Sequence, residues 1–197
     1  VEARNSEYVD RKSGVSARLG ISALENLKSS IERRVLLSGD KKSMVRIADL
    51  YSIIPSITGK IEMVYEGEQE GPYNVANLLI GKAIREEFIN HFPNPEKLGK
   101  KKDKDDNAFK RITEWFEMGK EIELLNKYSD KDYASTLNKV DGLGLFVDEY
   151  KPKAKPIEKH LWMEFVLHGL AEYSKLNKDR IDSGVKFKDL FGSMMKF

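Results

Sequence analysis

Ser13-Gly14-Val15-Ser16-Ala17-Arg18-Leu19 is the stretch on which the reading of this chain turns. It sets a glycine turn just before the first long apolar periodicity and one arginine at the mouth of that helix. Ser16 has the side chain of an N-cap, whose oxygen accepts from a free amide of the first turn. From there to about Leu37, the residues Leu24, Leu27, Ile31 and Val35 recur at three- and four-residue steps. Glu25, Lys28, Glu32 and Arg33 oppose them, so one amphipathic helix is predicted. Ser38-Gly39-Asp40 supplies the stop, because glycine suits the left-handed position past a helix end.

Beyond this helix the pattern stays helical. Met44-Val45-Arg46-Ile47 alternates briefly and reads as one short extended piece. Asp49 is placed to cap Leu50 to Ile54, and helical spacing through Ile57, Ile61 and Val64 continues to Tyr65. Residues 66–72 read as an acidic loop, and Asn74 as the cap of a helix that Pro93 ends. Residues 93–107 are rich in lysine and aspartate and predict a linker. After it come short helices around Trp115 and Phe116 and after Ser129. A strongly apolar helix then runs from His160 to Lys175, a short extended piece covers Val185 to Phe187, and a last helix spans Leu190 to Met195. The absence of a sustained period-two pattern predicts an all-α fold. The predicted organisation is a helical domain over 1–92, the linker, and a helical C-terminal extension over 108–197.

Composition excludes several classes. A chain of 197 residues with 40% hydrophobic content is an ordinary globular one, and a chain this long buries about 70% of its unfolded surface. There is no cysteine, which removes thiolate metal sites, disulfides and cysteine nucleophiles. No apolar run reaches the roughly 20 residues that span a bilayer, and a cytoplasmic location is expected. The charge of +2, from 34 basic and 32 acidic residues, leaves no large basic footprint for nucleic acid.

Candidate chemistry is sparse. Gly-x-x-x-x-Gly-Lys-Ser/Thr does not occur; Thr58-Gly59-Lys60 and Ile80-Gly81-Lys82 lack its earlier glycine and its hydroxyl. The chain therefore has no phosphate-cradling loop of its own. His160, Glu164 and His168 follow one another at four-residue steps along a helix edge, where a shared metal competes with the commoner reading of core histidines. Arg18 remains. It stands near a helix start, where the dipole disfavours a cation, with Arg11 and Lys12 close by and only Asp10 near in sequence. Such a cluster calls either for an anion or for an acid from elsewhere in the chain.

Gly14-x-Ser16-x-Arg18, followed by Ala23-Leu24-Glu25-Asn26 and Glu32-Arg33-Arg34, resembles the lid of AAA+ ATPases, within them the magnesium chelatase ATPase-subunit and MoxR-like branch. The similarity continues through Asp49-Leu50-Tyr51, Pro55 to Glu62, Trp115-Phe116, Val140 to Leu143 and Glu164 to Leu170. The resemblance implies a bacterial protein and gives Arg18 the place of sensor 2, the lid arginine that reaches the γ-phosphate of ATP. It implies ATP and Mg2+ as cofactors of the whole ATPase, with none bound by this stretch alone. Its partners would be the ATPase core of the same protein and, in the full-length form, further copies of it. Walker A, Walker B, sensor 1 and the arginine finger of the family are missing here. The expectation is a C-terminal piece of a longer ATPase, without catalysis of its own. The alternative is a self-contained helical module that binds a partner protein through the stripe of the first helix or the acidic 66–71 stretch.

Overall fold

The computed structural model describes residues 1–97 and 108–190. Residues 98–107 of the expected linker, and the expected last helix beyond Leu190, lie outside them. The chain forms two compact units, Val1–Arg33 with Ala48–Ala83, and Arg34–Ile47 with Ile84–Phe197. Their borders run through two α-helices and one 3-10 helix.

In the first unit, helix α1 (Leu19–Ser38) begins one residue after Arg18 and continues past the border of the unit. Gly39 ends it at φ +75°, its amide bonded to the Val35 carbonyl. The predicted apolar stripe is the less exposed face of the helix without being fully buried: Leu27, Ile31 and Val35 are half-buried, while the opposing Glu25, Lys28, Glu32 and Arg33 are exposed. Ile21 is 63% exposed and Leu24 58%, and the one buried residue of α1 is Arg34. Polar groups also tie the helix down. Asn26 Nδ2 donates to Ser56 Oγ at 2.9 Å, Ser30 Oγ to Asp49 Oδ1 at 3.3 Å, and Ser52 Oγ to the Asn26 carbonyl at 3.3 Å. A 3-10 helix spans Ile47–Ile53 and leads into α2 (Ile54–Thr58). The helix expected to run on to Tyr65 stops there, because Ile61 and Met63 enter bridges with Val15 and Val9. The stretch read as an acidic loop is helical, α3 (Tyr65–Glu70). Next comes α4 (Pro72–Phe88), which begins at the proline rather than at Asn74, since proline suits a first turn whose amide needs no partner. Val75, Ala76, Leu79 and Ile80 of α4 are buried with Val9, Ile54, Ile57 and Ile61.

The second unit overturns the all-α expectation. Strands β1 (Ile122–Leu125), β2 (Asn177–Ile181) and β3 (Gly184–Lys188) form an antiparallel sheet in the order β1-β3-β2. The protein is mixed α and β. Each strand has four or five residues, so period two has little room to declare itself. Register pairs Ile122 with Phe187 and Leu124 with Val185, four buried side chains on one face. The other face carries charge: Lys186 Nζ lies 2.5 Å from Glu121 and 3.4 Å from Glu123, and Lys188 Nζ 2.6 Å from Asp179.

The helices of this unit are α5 (Lys110–Glu117), α6 (Asp130–Leu137), α7 (Leu143–Tyr150) and α8 (Pro156–Glu172). A helix follows Ser129 as predicted, and Ser129 caps it, its hydroxyl accepting from the Asp132 amide at 3.1 Å. Helix α8 is buried without a break from Met163 to Leu170 and packed against α6, α7 and β2. Its Gly169 gives room to Phe88, whose fully buried ring lies 5.3 Å from Phe92 and 5.8 Å from Phe165 and Tyr173 between centroids.

Candidate functional site

Arg18 is positioned by the pairing of residues 8–16 with 60–64. The Asp10 amide donates to the Glu62 carbonyl and the Glu62 amide to the Gly14 carbonyl, both at 2.9 Å. The Ser16 amide reaches the Lys60 carbonyl at 3.0 Å. Between these bonds the chain bulges into a turn over residues 11–13. Asp10 Oδ1 closes the turn, accepting from the Lys12 amide at 2.8 Å and the Ser13 amide at 2.9 Å. The Ser13 and Lys12 amides hold the Asp10 carboxyl below its usual range. Asp10 is thus engaged by backbone donors. Gly14 has no room for a side chain, since a Cβ there would stand 2.1 Å from the Asp10 carbonyl oxygen.

At the helix entry, Ser16 Oγ accepts from the Arg18 amide at 3.3 Å and the Ser16 carbonyl from the Leu19 amide at 3.0 Å. Arg11, Lys12 and Arg18 are all exposed. Among the described residues none of the three cations pairs with a carboxylate. What the entry offers chemically is an accessible guanidinium, able to take an anionic oxygen in a bidentate fork. It contains no general base, nucleophile or phosphate-cradling loop.

The histidines belong to a different environment. Glu164 and His168 are fully buried on α8. Glu164 Oε2 accepts from the Ile47 amide at 2.6 Å and the Tyr133 hydroxyl at 2.8 Å, and Oε1 lies 3.6 Å from His168 Nε2. Burial pushes the Glu164 carboxyl up, but His168, Tyr133 and the Ile47 amide outweigh it and leave the group below its usual range. Burial depresses the His168 imidazole, and Glu164 only partly opposes that. The pair is therefore an ionised carboxylate beside a neutral ring. His160 is half-buried and also depressed, by burial and then by Lys159. Among the described residues no group of His, Asp and Glu could hold a metal ion.

The cluster extends through residues the sequence did not single out as a group. Arg46 is buried, its Nη2 donating to the Tyr128 carbonyl at 2.8 Å and to Asp130 at 3.0 Å, with its guanidinium 4.2 Å from the Tyr133 ring centroid. Ser43 Oγ also donates to Asp130, at 2.7 Å, and the Asp130 amide donates to Asp40 at 2.9 Å. Arg34 reaches the Met44 carbonyl at 2.6 Å. Partners such as Arg46 and Asp130 lie 84 positions apart, beyond any local spacing. The one local sign was an arginine between Val45 and Ile47. This network holds residues 40–47 against α6 and α8.

No helix among the described residues is long and apolar enough to cross a membrane. No protein-family description, curated protein or solved structure matches the chain.

Proposed function

We propose that this chain is the lid and C-terminal region of an AAA+ ATPase of the magnesium chelatase and MoxR-like type. In this reading Arg18 is its sensor-2 arginine, and the Walker motifs are supplied by another part of the same protein. The observation that carries the reading is the accessible Arg18, held at the entry of α1 by Ser16 and left without a carboxylate among the described residues. Two features support it. Asp10 is engaged in its own turn, and Ile21 and Leu24, on the first turns after Arg18, are left in solvent. A helix with a cation at its mouth and apolar residues just behind it suits a surface that meets a nucleotide-bearing body.

The residues fit ATP at one contact only. Arg18 would take γ-phosphate oxygens in a charge-assisted bond, and the remaining phosphate contacts and Mg2+ would be held by the ATPase core. Loss of the γ-phosphate removes the anion from Arg18 and with it the bond that fixes the lid, so hydrolysis becomes movement. The test is steady-state ATP hydrolysis by the full-length protein. Arg18→Ala should abolish turnover and Arg18→Lys should restore little of it, since an ammonium lacks the fork; normal turnover by Arg18→Ala overturns the assignment.

A second reading, a helical module that binds a partner protein, draws on the exposure of Ile21 and Leu24 and of Leu36 at 84% and Leu37 at 64%. The two readings part on the coding sequence upstream of Val1. A strand followed by Gly-x-x-x-x-Gly-Lys-Ser/Thr there supports the ATPase, and a start codon beside Val1 supports the module.

A further inference from the structure

The buried pair on α8 lies apart from Arg18, and its surroundings suit a switch. Titratable and charged groups converge on it from three neighbouring segments: Arg46 from the 40–47 segment, Asp130 and Tyr133 from α6, and Lys178 from β2, with His160 and Glu172 on α8 itself. From β3 it meets Phe187, whose ring stands edge-on to the His168 ring at 5.0 Å. We propose that Glu164 and His168 form an acid-sensitive latch, in which the ionised carboxylate holds the Ile47 amide and the Tyr133 hydroxyl, and proton uptake by the pair frees residues 40–47 from α8.

The chemistry is a proton gained from solvent and nothing else. One oxygen, Oε2, accepts both the Ile47 and the Tyr133 donors, so a proton on it displaces one of them. A proton on His168 creates an imidazolium in a dry site that already feels Lys178, and draws the carboxylate away from Ile47. Opening of the latch lets water solvate the imidazolium in one case and satisfy the displaced donor in the other. The folded-state values of both groups lie below their ordinary ones, so the open form binds more protons as pH falls. The latch is held above the imidazole range and weakens through it, with Glu164 contributing only at lower pH, below the ordinary carboxylate range.

Amide hydrogen exchange on the 197-residue chain tests this, with rates corrected for the intrinsic effect of pH. Between about pH 7 and about pH 5, protection of the Ile47 amide should fall about tenfold relative to the β3 amides of Val185 and Phe187. His168→Phe, which keeps a ring against Phe187, should retain Ile47 protection at the lower pH. Glu164→Gln should show low Ile47 protection at both. Constant Ile47 protection in the wild type overturns the latch. So does β3 losing protection in step with Ile47, which would be general acid unfolding, and so does a His168→Phe chain that responds like the wild type. Should the Glu164→Gln chain not fold, the wild-type comparison of Ile47 with β3 decides alone.

Discussion

Gly169 lies in α8 against the Phe88 ring, and alanine at this position sets two effects against each other. In an exposed helix, Gly→Ala gains about 1 kcal/mol of backbone entropy and propensity. Here the new Cβ would stand 2.0 Å from Phe88 Cδ2, 2.4 Å from Cε2 and 2.8 Å from Cγ, well inside van der Waals contact. The ring has nowhere to go. It is fully buried, with Phe92, Phe165 and Tyr173 around it and Phe109 at 6.0 Å. Overpacking of a well-filled core costs about 1–3 kcal/mol, and a contact this close to an immobile ring belongs at the upper end. The net expectation is a loss of about 2 kcal/mol, or a fall in Tm of about 4–8 °C for a chain of this length. Calorimetry of Gly169→Ala reads it directly. In the double mutant with Phe88→Leu, the smaller side chain should recover at least about 1 kcal/mol relative to the sum of the single mutants. A Gly169→Ala chain with a raised Tm would refute the reasoning, because propensity would then have won and the Phe88 contact would not be tight.

Two further perturbations probe the same unit. Arg46→Ala removes the bonds to the Tyr128 carbonyl and Asp130 and the stack on Tyr133, so urea denaturation should show a loss of about 2–4 kcal/mol; a loss below about 0.5 kcal/mol would mean the network carries little stability. Ser129→Ala deletes the cap of α6 and should lower stability by about 1 kcal/mol, with Ser129→Thr close to wild type in the same assay.

What the sequence disclosed was helical periodicity and punctuation. Gly39, Ser129 and the apolar run of α8 declare their roles through neighbours within one turn, and the structure places them accordingly. The sheet was hidden because β1 and β3 carry their alternation on two apolar residues each, and β2 is Asn-Lys-Asp-Arg-Ile. Only pairing between distant segments reveals it. The stripe of α1 was legible only in part. Period 3.6 shows that a helix has an apolar face but not how far it is covered, and here Leu27, Ile31 and Val35 are half-buried beside the bonds of Asn26 and Ser30, while Ile21 and Leu24 remain in solvent. At the candidate site, glycine, serine and arginine were legible as a helix entry. The engagement of Asp10 by its own turn, which takes the nearest acid away from Arg18, depends on backbone geometry that spacing does not show. The long-range partners of Arg46 and Glu164 had no local signature at all.

If Arg18 reads a γ-phosphate as proposed, nucleotide binding by the full-length protein will depend on it. Titration calorimetry with a non-hydrolysable ATP analogue and with ADP should show that Arg18→Ala weakens the analogue about 10- to 100-fold, the equivalent of one charge-assisted bond. ADP, which lacks the phosphate in question, should bind the variant and the wild type alike. Equal affinities of the two proteins for the analogue, or an equal loss for analogue and ADP, would mean that Arg18 does not contact the γ-phosphate.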